Sequence, residues 1–199
     1  KIEDLKNPGV DPVPQWYCPE FDALVERIVK ARKNGRPVVL SMGAHVIKNW
    51  LSRYLIALMR AGIITHIAGN GACSIHDFEL SYLGGTSEHV PTAIEDGSFG
   101  MWEETGGWMN EAIIEGREHG YGCALAEYMD RHPERFPHRD DCVLYQAWKL
   151  DIPATYHIAL GTDIIHQHPS VDFGAIGTVS GIDFHKMCYS VAHLDGGVF

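Results

Sequence analysis

The stretch from Gly62 to Leu83, GIITHIAGNGACSIHDFELSYL, restricts the possible folds more than any other part of the chain. An apolar, β-rich run, Ile63-Ile64-Thr65-His66-Ile67-Ala68, breaks at the small residues Gly69-Asn70-Gly71-Ala72. Helical spacing then resumes through Ile75, Phe78, Leu80 and Leu83. The pattern predicts strand, glycine loop and helix, with Ser74 as the cap whose hydroxyl accepts from an orphan amide. Asp77 falls in the first helical turn, where the dipole favours a carboxylate. In a parallel sheet such a loop lies at the carboxyl end of its strand, where open α/β folds bind ligands. GNGACS lacks the last glycine of GxGxxG, so the pattern alone fits equally a tight turn that binds nothing.

The same arrangement occurs just upstream. Pro37 to Met42 reads as a short buried strand, Gly43-Ala44-His45 as a turn, and Val46 to Ala61 as a helix. Two consecutive β–loop–α units predict neighbouring parallel strands and a right-handed crossover, so both loops should share one sheet edge. A third apolar run, 152–160, ends in Gly161-Thr162-Asp163. The expectation is an α/β fold with parallel strands near 37–42, 63–68 and 153–160. An amphipathic helix is expected over 20–34, with Phe21, Leu24, Val25, Ile28 and Val29 on one face. Further helices are expected over Met101–His119, Tyr121–Arg131, Cys142–Leu150 and Ile182–Leu194. Gly84–Glu88 reads as a loop and Gly174–Gly181 as flexible. Residues 1–18 form a proline-punctuated arm, and 19–199 one α/β domain. Residues 196–199 open a fourth strand that stops, so the domain is expected to be incomplete at its carboxyl end.

Charge narrows the partners. The formal charge of −10 lacks the basic face that nucleic-acid phosphates need, and suits a cationic small molecule. Five scattered cysteines, odd in number and without CxxC, point to a reducing, cytoplasmic setting. Lys48, Arg53 and Arg60 interrupt the richest apolar region, so no membrane span is expected.

Twelve histidines invite a metal reading. Asp163, His166 and His168 follow the third strand, and imidazole with carboxylate is a reasonable zinc or iron donor set. A metal-dependent hydrolase on these three residues is thus one alternative. No HExxH or paired CxxC spacing supports it, and no serine sits in a GxSxG elbow. Glu103, Glu104, Glu111 and Glu115 read as a solvated helix face.

Residues 43–90, GAHVIKNWLSRYLIALMRAGIITHIAGNGACSIHDFELSYLGGTSEHV, resemble the amino-terminal half of deoxyhypusine-synthase-like proteins, especially their bacterial branch. LDIPATYHIALGTDIIHQHPSVDFGAIG (150–177) and LDGGVF (194–199) resemble that branch too. The resemblance implies a Rossmann-like, three-layer NAD-binding domain in a homotetramer with sites at subunit interfaces. It implies a transferase that uses NAD to move an aminobutyl group from spermidine, or a related polyamine, to an acceptor amine. On this likeness Gly43, Ala44 and His45 match the first nucleotide loop and Asn70, Gly71 and Ala72 the second. Asp163 matches an aspartate that touches the cofactor. Ile75-His76-Asp77 stands where the family has Glu-Glu-Asp, placing His76 and Asp77 against the polyamine. The family's catalytic lysine has no match in this chain; of its lysines, Lys48 is near a ligand loop. A catalytically inactive NAD- or nucleotide-binding module of the same fold is the second alternative.

Overall fold

The computed structural model describes residues 1–13, 15–85 and 89–199. In chain order the first elements are α1 (Pro19–Lys33), β1 (Val39–Ser41), α2 (His45–Lys48), α3 (Ser52–Arg60), β2 (His66–Asn70) and α4 (Gly71–Leu83). They are followed by α5 (Val90–Asp96), α6 (Trp108–Glu115), α7 (Tyr121–Arg131), α8 (Val143–Lys149), β3 (Ala154–His157) and α9 (Phe173–Ala192). The three strands pair in the order β1-β2-β3, all parallel, with Ser41 opposite Ala68 and Asn70 opposite His157. Val198 forms a parallel bridge to Val38, so the chain's last residues start a further rung beyond β1. The α/β expectation and the three parallel strands thus hold.

The central strand is buried on both faces, as a covered parallel strand must be. Ile67 and Ala68 are buried, and α7 and α9 pack against β3 beside it. Gly122 in the first turn of α7 is what allows the close approach. A Cβ there would lie 2.0 Å from the Ala154 carbonyl oxygen.

Several boundaries depart from the sequence reading, each for a local reason. Ile63 and Ile64 do not open β2; their amides bond back to Leu58 and close α3, and pairing instead extends to Asn70. The expected helix over 46–61 is broken between α2 and α3, where Trp50 takes φ +65 and its carbonyl accepts from the Lys6 amide. That bond, with Arg53 Nη1 donating to Asn7 Oδ1 at 2.6 Å, ties the amino-terminal arm down. Gly174–Gly181 is helical rather than flexible, because Asp172 caps α9 and Ala175, Ile176 and Val179 are buried. The expected helix Met101–His119 is a π-helical turn over Glu103–Gly107 followed by α6. Helix α5 has no counterpart in the sequence reading. Of the expected loop Gly84–Glu88, residues 86–88 lie outside the described residues. Helix α1 is the largest packing surprise: Phe21, Leu24, Val25 and Val29, its expected core face, are all exposed. Among the described residues, no helix is long and apolar enough to cross a membrane.

His66 makes the fold sensitive to acid. It lies buried in β2, with Nδ1 2.7 Å from Ser190 Oγ and Nε2 2.9 Å from Thr155 Oγ1. Burial, then the nearby His157 and Lys186, lower its pKa from 6.5 to about 4. The unfolded chain therefore binds this proton more tightly than the folded one. The stability His66 contributes is complete above pH 6.5 and is lost as pH falls towards 4, by about 3 kcal/mol. Buried Asp77 and Asp183, raised to about 6 by burial, act in the opposite sense as pH falls. Comparing the wild type with His66→Gln cancels those two contributions. By denaturant titration, the stability gap between the two proteins should change by about 3 kcal/mol between pH 7 and pH 4. A constant gap would show that another group titrates.

Candidate functional site

The carboxyl ends of the three strands bring the two glycine segments together, as their spacing predicts. The Met42 amide donates to the Ala68 carbonyl at 2.9 Å, and Cys73 Sγ donates to the Met42 carbonyl at 3.3 Å. Gly43 and His45 are exposed and Ala44 is buried; a Cβ on Gly43 would meet open space. On the neighbouring strand there is no loop at all. Asn70 is both the last residue of β2 and the cap of α4, its Oδ1 accepting from the Cys73 amide at 3.1 Å. This corrects the expected cap: Ser74 lies inside α4, and its hydroxyl donates to the Gly71 carbonyl.

Gly71 is reserved for a side chain of this same protein. A Cβ there would lie 1.8 Å from Asp163 Oδ2, so the carboxylate rests directly on the first residue of α4. Asp163 Oδ2 is buried and has no hydrogen-bond partner. It is 4.0 Å from Nε2 of His166, itself buried. His166 Nδ1 accepts from the amides of Gly161 and Asp163, which leaves its ring proton on Nε2, facing the carboxylate. Burial raises the pKa of Asp163 against the pull of His166, and burial lowers that of His166.

Beside this pair is a cavity of about 200 Å³. Ala72, Ile75, Val90, Phe99 and Ile164 give it apolar walls; Lys48, His76, Glu79, Thr162 and Asp163 give it polar groups. Glu79 is buried on α4, 3.3 Å from His76 Nδ1, and its Oε1 accepts from Thr105 Oγ1. The sequence points to Lys48, His76 and Asp163, and sequence reasoning misses Glu79. A signal for it exists: a carboxylate one turn after His76 in an otherwise apolar helical stretch.

Two expectations are corrected here. Asp77 does not face a ligand. It is fully buried on the other side of α4, where Oδ1 accepts from the Val143 amide at 2.9 Å and Oδ2 from Leu144 at 2.7 Å. It caps α8. The trio Asp163, His166 and His168 does not converge either. His168 turns to Ser170 and Glu103, its Nε2 3.3 Å from Glu103 Oε2. Among the described residues no group of three His, Cys, Asp or Glu side chains could hold a metal ion. Asp163, His166 and His168 therefore do not form the joint site on which the metal-dependent hydrolase alternative rests.

No protein-family model matches the chain. No curated protein matches it either. Among solved structures it is similar to a conserved protein provisionally described as LOR/SDH from Methanococcus maripaludis S2, with 16% identity and a TM-score of 0.50 over 94% of this chain. It is also similar to the apo arginine dihydrolase ArgZ from the ornithine–ammonia cycle in cyanobacteria, with 15% identity, a TM-score of 0.46 and 89% of this chain covered. A third is the AgrE C264A mutant in its binary complex with L-arginine, with 19% identity, a TM-score of 0.49 and 92% covered. This chain spans 54% of the Methanococcus protein and 24% of each of the other two. At such identity the Methanococcus likeness supports the α/β fold alone.

Proposed function

We propose that the cavity at the carboxyl edge of the sheet binds the ammonium group of a small amine. The observation that carries this is Asp163, which lines the cavity and whose Oδ2 is buried without a hydrogen-bond partner, with Glu79 as a second carboxylate in the same wall. A desolvated carboxylate without a donor is costly, and an incoming N–H donor relieves that cost. About 200 Å³ is smaller than the roughly 300–1,000 Å³ of drug-sized ligand sites and suits a short amine.

The resemblance to deoxyhypusine-synthase-like proteins supplies the reaction class. On that reading the chain is a Rossmann-like transferase that moves an aminobutyl group from spermidine or a related polyamine to an acceptor amine. NAD, when bound, would accept the hydride from the amine-bearing carbon. Gly43 leaves room for such a cofactor at the first loop, but the start of α4 does not fit a pyrophosphate. Asp163 already lies there and would repel it. What the chain's own residues do is hold the amine: Asp163 and Glu79 take its positive charge, His166 orients Asp163, and the apolar walls exclude water. The closed start of α4 also favours the second reading, a binding module without nucleotide chemistry. The homotetramer belongs to the same proposal, and the exposed apolar face of α1 is surface that such an assembly would cover.

Calorimetric titration of spermidine tests the amine site. Asp163→Asn keeps the shape and removes the charge, so affinity should fall at least tenfold, the value of one charge-assisted hydrogen bond. Equal affinity in wild type and variant would place the amine elsewhere.

A further inference from the structure

A cysteine and a lysine meet at the other, amino-terminal end of β3, away from the amine cavity. Cys123 lies in the first turn of α7 and Lys186 towards the end of α9, and both helices pack on that strand and on each other. Lys186 Nζ donates to Cys123 Sγ at 3.3 Å and to the His119 carbonyl at 2.6 Å, which holds the ammonium against the sulfur. Asp183 Oδ1, one turn earlier on α9, is 3.8 Å from Nζ, and it is buried without a hydrogen-bond partner. The other oxygen, Oδ2, accepts from the Gly122 and Tyr156 amides and so fixes the carboxylate. Cys123 and Lys186 are half-buried, and both line a cavity of about 180 Å³ walled by Leu144, Trp148, Ile152 and Pro153. Such a space admits a molecule little larger than water.

We propose that Cys123 and Lys186 form a covalent link, Sγ to Nζ, when the chain meets hydrogen peroxide. First the Cys123 sulfur attacks one peroxide oxygen and the O–O bond breaks. The thiol proton leaves with the second oxygen as water, and the sulfur is left as sulfenic acid. The Lys186 ammonium and the start of α7 set positive charge beside the sulfur, where negative charge gathers during attack. Then Nζ attacks the sulfur and the S–O bond breaks, the condensation that sulfenic acids undergo with a nearby nitrogen. The hydroxyl departs as water with one Nζ proton, and a second Nζ proton passes to Asp183 Oδ1. Burial raises the Asp183 pKa to about 6, so it accepts more readily than an exposed carboxylate. Sulfur loses two electrons and peroxide is reduced to water. The sulfenamide staples α7 to α9, and added thiol reverses it.

Peptide mapping of the full chain, after brief peroxide treatment and alkylation of the remaining thiols, tests this. A link to Nζ blocks trypsin after Lys186. The wild type should therefore yield residues 118–131 joined to 150–199, two hydrogens lighter than the separate parts. Dithiothreitol should restore the separate peptides and the cleavage. Lys186→Arg keeps the charge without a nucleophilic amine, so dimedone should trap its Cys123 as sulfenic acid and no link should form. Exposed Cys188 serves in the same digest as a reference for oxidation. Cys123 still a thiol where Cys188 is oxidised would overturn the proposal, as would Cys123 recovered in a disulfide or as sulfinic acid without the link. The wild-type digest decides this by itself, whether or not Lys186→Arg folds.

Discussion

Gly71→Ala should abolish amine binding and destabilise the fold by about 2 kcal/mol, a typical cost of inserting a methyl group into filled space. The added Cβ would lie 1.8 Å from Asp163 Oδ2 and 2.3 Å from its Cγ, and a methyl group has no rotamer that relieves the clash. Asp163 must leave, and with it the carboxylate that the cavity offers. The neighbouring His166 packs on Phe173 and receives two amides, so the disturbance reaches the start of α9. Adding Asp163→Ala to Gly71→Ala frees the space. The double variant should recover much of the stability lost by Gly71→Ala while still failing to bind amine. That non-additivity is the signature of two side chains competing for one volume. Urea titrations of the four proteins measure it. If Gly71→Ala is as stable as the wild type and binds amine equally, Asp163 does not rest on Gly71.

Asp77→Ala should cost about 3 kcal/mol without touching the cavity. Two amides at the start of α8 donate to this carboxylate, and neither has an alternative acceptor once it is gone. Each buried, unsatisfied donor costs about 1–3 kcal/mol, partly offset because a buried charge disappears as well. That charge is itself uncomfortable: burial raises the Asp77 pKa to about 6 despite both amides. Asp77→Asn should lose less, since its amide oxygen still accepts one bond. Both variants, titrated with amine under conditions where they remain folded, should bind it within a few-fold of the wild type. A stability change under 1 kcal/mol for Asp77→Ala would mean that α8 is capped from elsewhere.

These two residues show what the sequence can and cannot disclose. The strand-to-helix passage at Gly69–Ala72 is legible because apolar β-rich runs and helical spacing meet there. So is the shared edge with Gly43, because short β–loop–α units leave little choice of topology. The direction in which a helical residue faces is not legible for Asp77. Its neighbours Ile75, Phe78 and Leu80 are all buried, so α4 carries no polar face to set an orientation. Gly71 reads in the sequence as room for a ligand's phosphate, whereas a segment about ninety residues later fills that room; sequence spacing does not report such a long-range contact. Helix α1 fails for the opposite reason. Its periodicity is real, but the surface that would cover Phe21, Leu24, Val25 and Val29 is not part of this chain's described residues. The metal reading fails because Asp163, His166 and His168, close in sequence, diverge around a single turn, with His168 drawn to Glu103.

A crystal structure grown with spermidine tests the amine site most directly. The expected result is an amine nitrogen about 2.7–3.2 Å from Asp163 Oδ2, inside the cavity lined by Ile75, Phe99 and Ile164, with Gly71 still beneath the carboxylate. An amine bound away from Asp163, with that carboxylate still unpartnered and the cavity empty, would contradict it.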